Sequence, residues 1–193
     1  MATFSFIDYW QKNYPDALPL GYDLREVYTN RWLRIHSLPA SKRYAETEEE
    51  YQTILYRQNQ LMEDLIGEGT ELVTLFGLYG DEITDDAYKA LSDFSSFDKV
   101  ASLDLHQTRP TIHEEGTYLD IYIKIERWHK GSKDVILRAI ADDTLRMLFI
   151  CPSKQCIIAP YDGGVDVIVT PATQRDTLKK KYHAWLSKRT DGL

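Results

Sequence analysis

LRMLFICPSKQCIIAPYDGGVDVIV, residues 145–169, is the stretch on which the fold turns. It holds three short apolar runs, LRMLFIC, CIIA and VDVIV, set apart by PSKQ and PYDGG. Each run is too short for a stable helix, is rich in Ile, Val and Phe, and is bounded by turn-forming residues. Three consecutive strands joined by tight turns are therefore expected. In the last, Val165, Val167 and Val169 share one face and Asp166 and Ile168 the other, because side chains alternate along a strand. Asp166 thus sits among apolar neighbours, where a carboxylate needs a partner. Asp162-Gly163-Gly164 reads as a turn, in which glycine supplies positive φ and an aspartate hydrogen-bonds backbone two residues on.

Working outward, TYLDIYIKIERW (117–128) alternates strongly, with Leu119, Ile121, Ile123 and Ile125 on one face. ELVTLFGLY (71–79) reads as another strand, and RWLRIHSLP (31–39) as an extended segment ended by Pro39. Residues 47–66 carry a Thr47/Glu50 capping box, and then apolar residues at helical spacing from Tyr51 to Ile66. Gly67 and Gly69 stop that helix. A short helix over 4–13 places Ile7, Trp10 and Tyr14 toward the core before YPDALPLGYD breaks it. Ser132 caps a helix to about residue 141. At the C-terminus Thr170 caps and Pro171 starts a helix that buries Leu178, Tyr182, Trp185 and Leu186. Between 80 and 116, TDDAYKALSDF reads as a short helix capped by Thr84, and DLHQTRPTIHEEG as a loop. The expected architecture is α+β: one domain over 1–193, with a mostly antiparallel central sheet of about five to six strands. Helices flank it, including one at each terminus.

At 193 residues with 43% hydrophobic and 12% aromatic content, the chain has ample material for a core. A net charge of −7 speaks against a nucleic-acid binder that works by neutralising phosphates, and suits a basic protein partner. No apolar run is long enough to span a membrane, and the N-terminus lacks the pattern of a signal peptide. A cytoplasmic location is expected. Cys151 and Cys156 flank PSKQ and would face one another across a hairpin. A disulfide there is geometrically feasible, but buried free thiols are the expectation.

Two candidate sites emerge. The first is the pair Asp162 and Asp166, with Asp166 read either as a general base or a metal ligand beside Asp162, or as a structural carboxylate that pairs an arginine or caps backbone N–H groups. The second is RWLRIHSLPASKRY (31–44). His36 and Ser37 cannot form a catalytic dyad, because adjacent residues of an extended chain point to opposite faces. Trp32, Arg34 and His36 do share a face, and Lys42 and Arg43 follow in the next turn. In an acidic chain that cation density suits a carboxylate or phosphate ligand. The plainer alternative is that Arg34 pairs with Asp166 while Lys42 and Arg43 are solvated. HEEGT (113–117) fails as a zinc-protease motif, because Thr117 stands where the second histidine belongs. His106, His113 and Glu114 would have to meet across a loop to hold a metal, and none is expected. No phosphate-loop, dinucleotide or nucleophile-elbow motif occurs, and no cofactor is implied.

RIHSLPASKRY with the following EEEY…R.N.L…L helix, and PYDGGVDVI ahead of L…Y..WL, resemble segments of bacterial proteins of unknown function. They also resemble a broader domain-of-unknown-function family ending in a YDxxGxDVI strand, a short gap and then LY…WI. The resemblance covers the N-terminal third and the C-terminal quarter. It departs from the broader pattern by one residue fewer between Asp162 and Asp166. It implies a bacterial cytosolic protein with no assigned activity, and an immunity role by association only.

Two functions follow. The first is a non-enzymatic protein-binding module, suggested by the acidic charge, 13 tyrosines and the lack of a catalytic motif. The second is an enzyme or ligand-binding domain for a small anionic or phosphorylated compound. It would use Arg34, His36, Lys42 and Arg43 with Asp162 or Asp166, and it requires the two segments to meet in space.

Overall fold

The computed structural model describes residues 4–79, 94–189 and 192. In chain order the elements are α1 (Phe6–Asn13), α2 (Gly21–Val27), β1 (Trp32–His36), α3 (Glu48–Leu65), β2 (Glu71–Tyr79), β3 (Asp98–Asp104), α4 (Leu105–Thr108), β4 (Tyr118–Arg127), α5 (Asp134–Ala141), β5 (Leu148–Cys151), β6 (Cys156–Tyr161), β7 (Gly164–Val169) and α6 (Ala172–Lys181). The strands form one open, entirely antiparallel sheet in the order β1-β7-β6-β5-β2-β4-β3.

The sheet therefore has seven strands, where the sequence suggested five to six. The added strand is β3. It alternates poorly, stands at the sheet edge, and carries an irregularity between Lys99 and Ala101 that breaks its period. Helix α2, directly after the proline-rich break, and the four-residue α4, capped by the Asp104 carboxylate, are likewise additions. The expected TDDAYKALSDF helix lies almost wholly outside the described residues.

Residues 145–169 form β5, β6 and β7 as expected, and β7 is buried along its whole length. It lies between β1 and β6, with side chains packed on both faces. Val165, Val167 and Val169 join Leu33, Ile35, Phe149 and Ile158 beneath α3, with Leu178 and Tyr182 closing that core. Ile168 joins Trp32, Ile157, Ile121 and Ile123 under α1 and the residues leading into α2, where Phe6, Trp10, Tyr14 and Leu18 pack. Each such aliphatic side chain contributes about 1.5–3 kcal/mol on burial.

Thr47 caps α3, accepting the Glu50 N–H, but the Glu50 carboxylate reaches back to the Glu46 N–H. Ser132 does not cap α5; its hydroxyl accepts the His129 N–H. Pro171 occupies the N-cap of α6, while Thr170 accepts a hydrogen bond from Arg31. Trp185 and Leu186 are only partly buried. Cys151 and Cys156 stand opposite each other in register as buried free thiols.

Candidate functional site

The two segments singled out in the sequence are neighbours in the sheet. Strand β1 pairs with β7 so that Trp32 stands opposite Ile168, Arg34 opposite Asp166 and His36 opposite Gly164. Period-2 alternation then turns Trp32, Arg34, His36 and Asp166 to the α2 side. Asp166 Oδ1 accepts from Trp32 Nε1 at 2.9 Å and Arg34 Nε at 2.7 Å, and Oδ2 accepts from Arg34 Nη2 at 2.8 Å. The fork is bidentate, the strong form of this pair. Both partners are largely covered, and the Arg34 guanidinium lies over the Tyr161 ring at 4.5 Å. Asp162, also buried, accepts from Arg43 Nε at 2.6 Å. Each aspartate of DGGVD thus takes a different arginine from the 31–44 segment.

The Gly-Gly pair is there for space. Asp162 and Gly163 form the turn between β6 and β7 as expected, but neither Gly163 nor Gly164 has the positive φ that the sequence reading gave them. A Cβ on Gly164 would come within 2.3 Å of the Ile35 carbonyl oxygen, so any side chain there would push β7 off β1. One on Gly163 would meet the Tyr161 ring at 3.0 Å.

Arg34, His36, Arg43 and Asp166 line a cleft of about 1060 Å³, the scale of small-molecule sites. Its floor comes from β2, β5 and β6, including Leu75, Leu148, Ala159 and Tyr161. One wall is the start of α2, where Gly21 packs so close to Ala159 that a Cβ would sit 3.3 Å from the Ala159 methyl. The turn between α5 and β5, Asp143 to Met147, also lines the cleft, as do Ser41 and Arg43. Ser41 and Asp143 both hold positive φ, at 57° and 55°, a strained setting for residues other than glycine.

Lys42 is not part of this site. Its ammonium reaches Glu50 at 2.7 Å and Glu46 at 3.0 Å, and it does not line the cleft. In exchange, the cleft gathers cations that the sequence reading passed over: Arg25 from α2, Arg146 before β5, and Arg189. Arg25 was missed with its helix, and Arg146 was absorbed into a strand. Five arginines and two carboxylates, Asp143 and Asp166, line a cleft in a chain whose net charge is −7. Tyr22, Tyr79 and Tyr161 supply aromatic surface.

His36 is 9% exposed, and among the described residues its Nε2 has no hydrogen-bond partner. Burial first, then the Arg34 and Arg57 charges, push its pKa below the usual histidine value, against a weaker opposing pull from the Gly163 carbonyl and Asp166. The ring is therefore neutral at pH 7. A sealed ring nitrogen without a partner carries a penalty of about 1–3 kcal/mol.

The other sequence candidate does not assemble. His106 Nδ1 lies 2.7 Å from the His113 carbonyl, and no group of three His, Cys, Asp or Glu side chains among the described residues is placed to hold a metal. No helix among them is long and apolar enough to cross a membrane.

No curated protein and no solved structure matches the chain. A family model does, over residues 20–190, which takes in β1, β7 and all the cleft-lining residues but Pro19. By that match the chain belongs to the family described as a domain of unknown function, DUF3885.

Proposed function

We propose that this chain binds a small anionic compound, such as a phosphate ester or a polycarboxylate, in the arginine-lined cleft. The observation that carries the reading is the local reversal of charge, five guanidinium groups against two carboxylates in an acidic chain. Arginine suits the role because its planar fork matches carboxylate and phosphate oxygens. Arg34 and Arg43, fixed on Asp166 and Asp162, are pre-oriented. Arg25 of α2 and Arg146, just before β5, line the same cleft. Asp166, held by three donated hydrogen bonds, serves as an anchor for Arg34 in this reading and not as a general base.

A thermal-shift panel of nucleotides, sugar phosphates and di- and tricarboxylates tests this. A ligand at a hundredfold excess over its Kd adds about 2.7 kcal/mol, or roughly 5–11 °C in Tm for a chain of this size. Arg25→Ala and Arg146→Ala should abolish the shift, while a panel without any shift sinks the proposal. A protein partner, immunity-type or otherwise, is the second reading. It draws on a patch on α3, where Tyr56 is 61% exposed, its ring is 6.3 Å from Trp185, and the Arg57 guanidinium lies 5.0 Å from the same indole.

A further inference from the structure

We infer that the ligand of this cleft joins its anionic group to a flat aromatic ring, as a nucleotide does, with the ring held by Tyr22 and Tyr79 and the anion by the arginines. A sugar phosphate or an aliphatic polycarboxylate lacks that ring. The inference rests on the anion-binding reading above and narrows it to a substrate class.

Three observations converge on it. The first is size: about 1060 Å³ is the upper end of small-molecule sites, and a lone phosphate or carboxylate cannot fill it. The second is the division of the lining. Beside the arginines stand Leu75, Leu78, Met147 and Leu148, apolar side chains that gain nothing from a bare anion. A ligand that uses both kinds of surface is charged at one end and apolar at the other. The third is a pair of open aromatic side chains. Tyr22 and Tyr79 both line the cleft, and they are 43% and 55% exposed. They lie on the same side of the sheet: Val73 and Leu75 of β2 pack with Leu18 and Leu24, and alternation turns Tyr79 the same way. Gly21, close against Ala159 of β6, seats the start of α2 on that face and brings Tyr22 with it. Tyr22 and Arg25 are three residues apart on α2, so ring and guanidinium share one helical face, about 5–6 Å apart at Cβ. Tyr161 is already stacked under the Arg34 guanidinium. Exposed tyrosine rings beside arginines are the surface on which a base stacks, through its π-face and by cation–π attraction.

Calorimetric titration compares adenosine monophosphate with ribose 5-phosphate, which keeps the sugar and the phosphate and lacks the base. Adenosine monophosphate should bind about 5- to 150-fold tighter, the range for one base stacked on aromatic side chains. Phenyl phosphate should exceed methyl phosphate in the same sense, because the ring itself is what the tyrosines hold. Replacing both, Tyr22→Ala with Tyr79→Ala, should bring the two ratios close to one and leave ribose 5-phosphate binding unchanged. Tyr22→Phe with Tyr79→Phe keeps both rings and should retain the ratios. Both side chains are exposed, so thermal melts of the alanine variant should stay close to wild type and separate misfolding from lost recognition.

Arg25→Ala serves as the counterpart. It removes a cation and no ring, so it should weaken all four phosphates alike and leave both ratios intact. A ratio of one for either pair in the wild type, or a ratio that survives the double alanine substitution, would overturn this inference alone. If none of the four phosphates binds, the anion-binding reading falls and this inference with it.

Discussion

The two edges of the sheet solve the same problem in different ways. At one edge, Arg34 on β1 neutralises Asp166 on the adjacent β7; at the other, Lys99 on β3 neutralises Asp120 on the adjacent β4. In each case an edge strand donates a cation to a covered carboxylate one strand in. The Arg34–Asp166 pair is buried on both sides, bidentate, and supplemented by Trp32. Lys99 is 45% exposed, and Asp120 is sealed yet shallow, with one carboxylate oxygen lacking a partner. The difference comes from what lies above each pair. The Arg34–Asp166 pair lies under residues that line the cleft, with the Tyr161 ring on the guanidinium, whereas Lys99 stands half open to solvent. A covered pair with complete hydrogen bonding can serve as a rigid floor for a site. A half-solvated pair only tidies an edge.

The sharpest way to break this comparison is to remove one cation from each edge. Arg34→Ala strands a buried carboxylate and should cost about 3–5 kcal/mol, roughly 6–20 °C in Tm, measured by denaturant and thermal unfolding. Replacing the whole pair, Arg34→Met with Asp166→Leu, should recover about half of that loss, the remainder being Trp32 Nε1 left without its acceptor. Lys99→Ala should cost less, about 1–3 kcal/mol, because removing the half-exposed lysine lets water reach Asp120. Equal losses at the two edges would overturn the distinction.

Acidity sharpens it further. Burial alone would raise the Asp120 carboxyl, but the Lys99 ammonium outweighs it and holds the group below the ordinary carboxylate range. A depressed carboxylate contributes stability that is present above its unfolded value and lost as pH falls through its folded value. Lys99→Met should therefore flatten the stability profile below about pH 4. His36 is a depressed histidine and acts one step higher. The unfolded chain takes up its proton first, so stability should fall as pH drops through about 6.5 and level off once the folded ring protonates. His36→Gln should remove that step. The smallest effect belongs to Arg25→Ala, within about 0.5 kcal/mol of wild type, since its ion pair is with the exposed Glu26.

Much of the sheet was legible because β4 alternates with a period of two and β5, β6 and β7 are short apolar runs bounded by turn residues. The long α3 carries its own cap and stop. β3 escaped because an edge strand need not alternate, and α2 because its seven residues follow two prolines. The candidate site was half legible. Arg34, His36, Arg43 and Asp166 share the cleft, but Lys42, adjacent in sequence, turns to Glu50, and Arg25, Arg146 and Arg189 arrive from three other places in the chain. Gly163 and Gly164 were recognised as a constraint and assigned the wrong one: they give room for the neighbouring strand.

The sequence by itself determined the strands of residues 145–169, the long helix, the acidic balance, and the need of Asp166 for a partner. These are local matters of periodicity, capping and desolvation, written within a few residues of where they act. The tertiary structure alone decided that β1 would lie beside β7, that five arginines would line one cleft, and that His36 Nε2 would be left without a partner. Strand order and burial depend on contacts between distant residues, such as Trp32 and Asp166, 134 positions apart, and no local pattern encodes such a meeting.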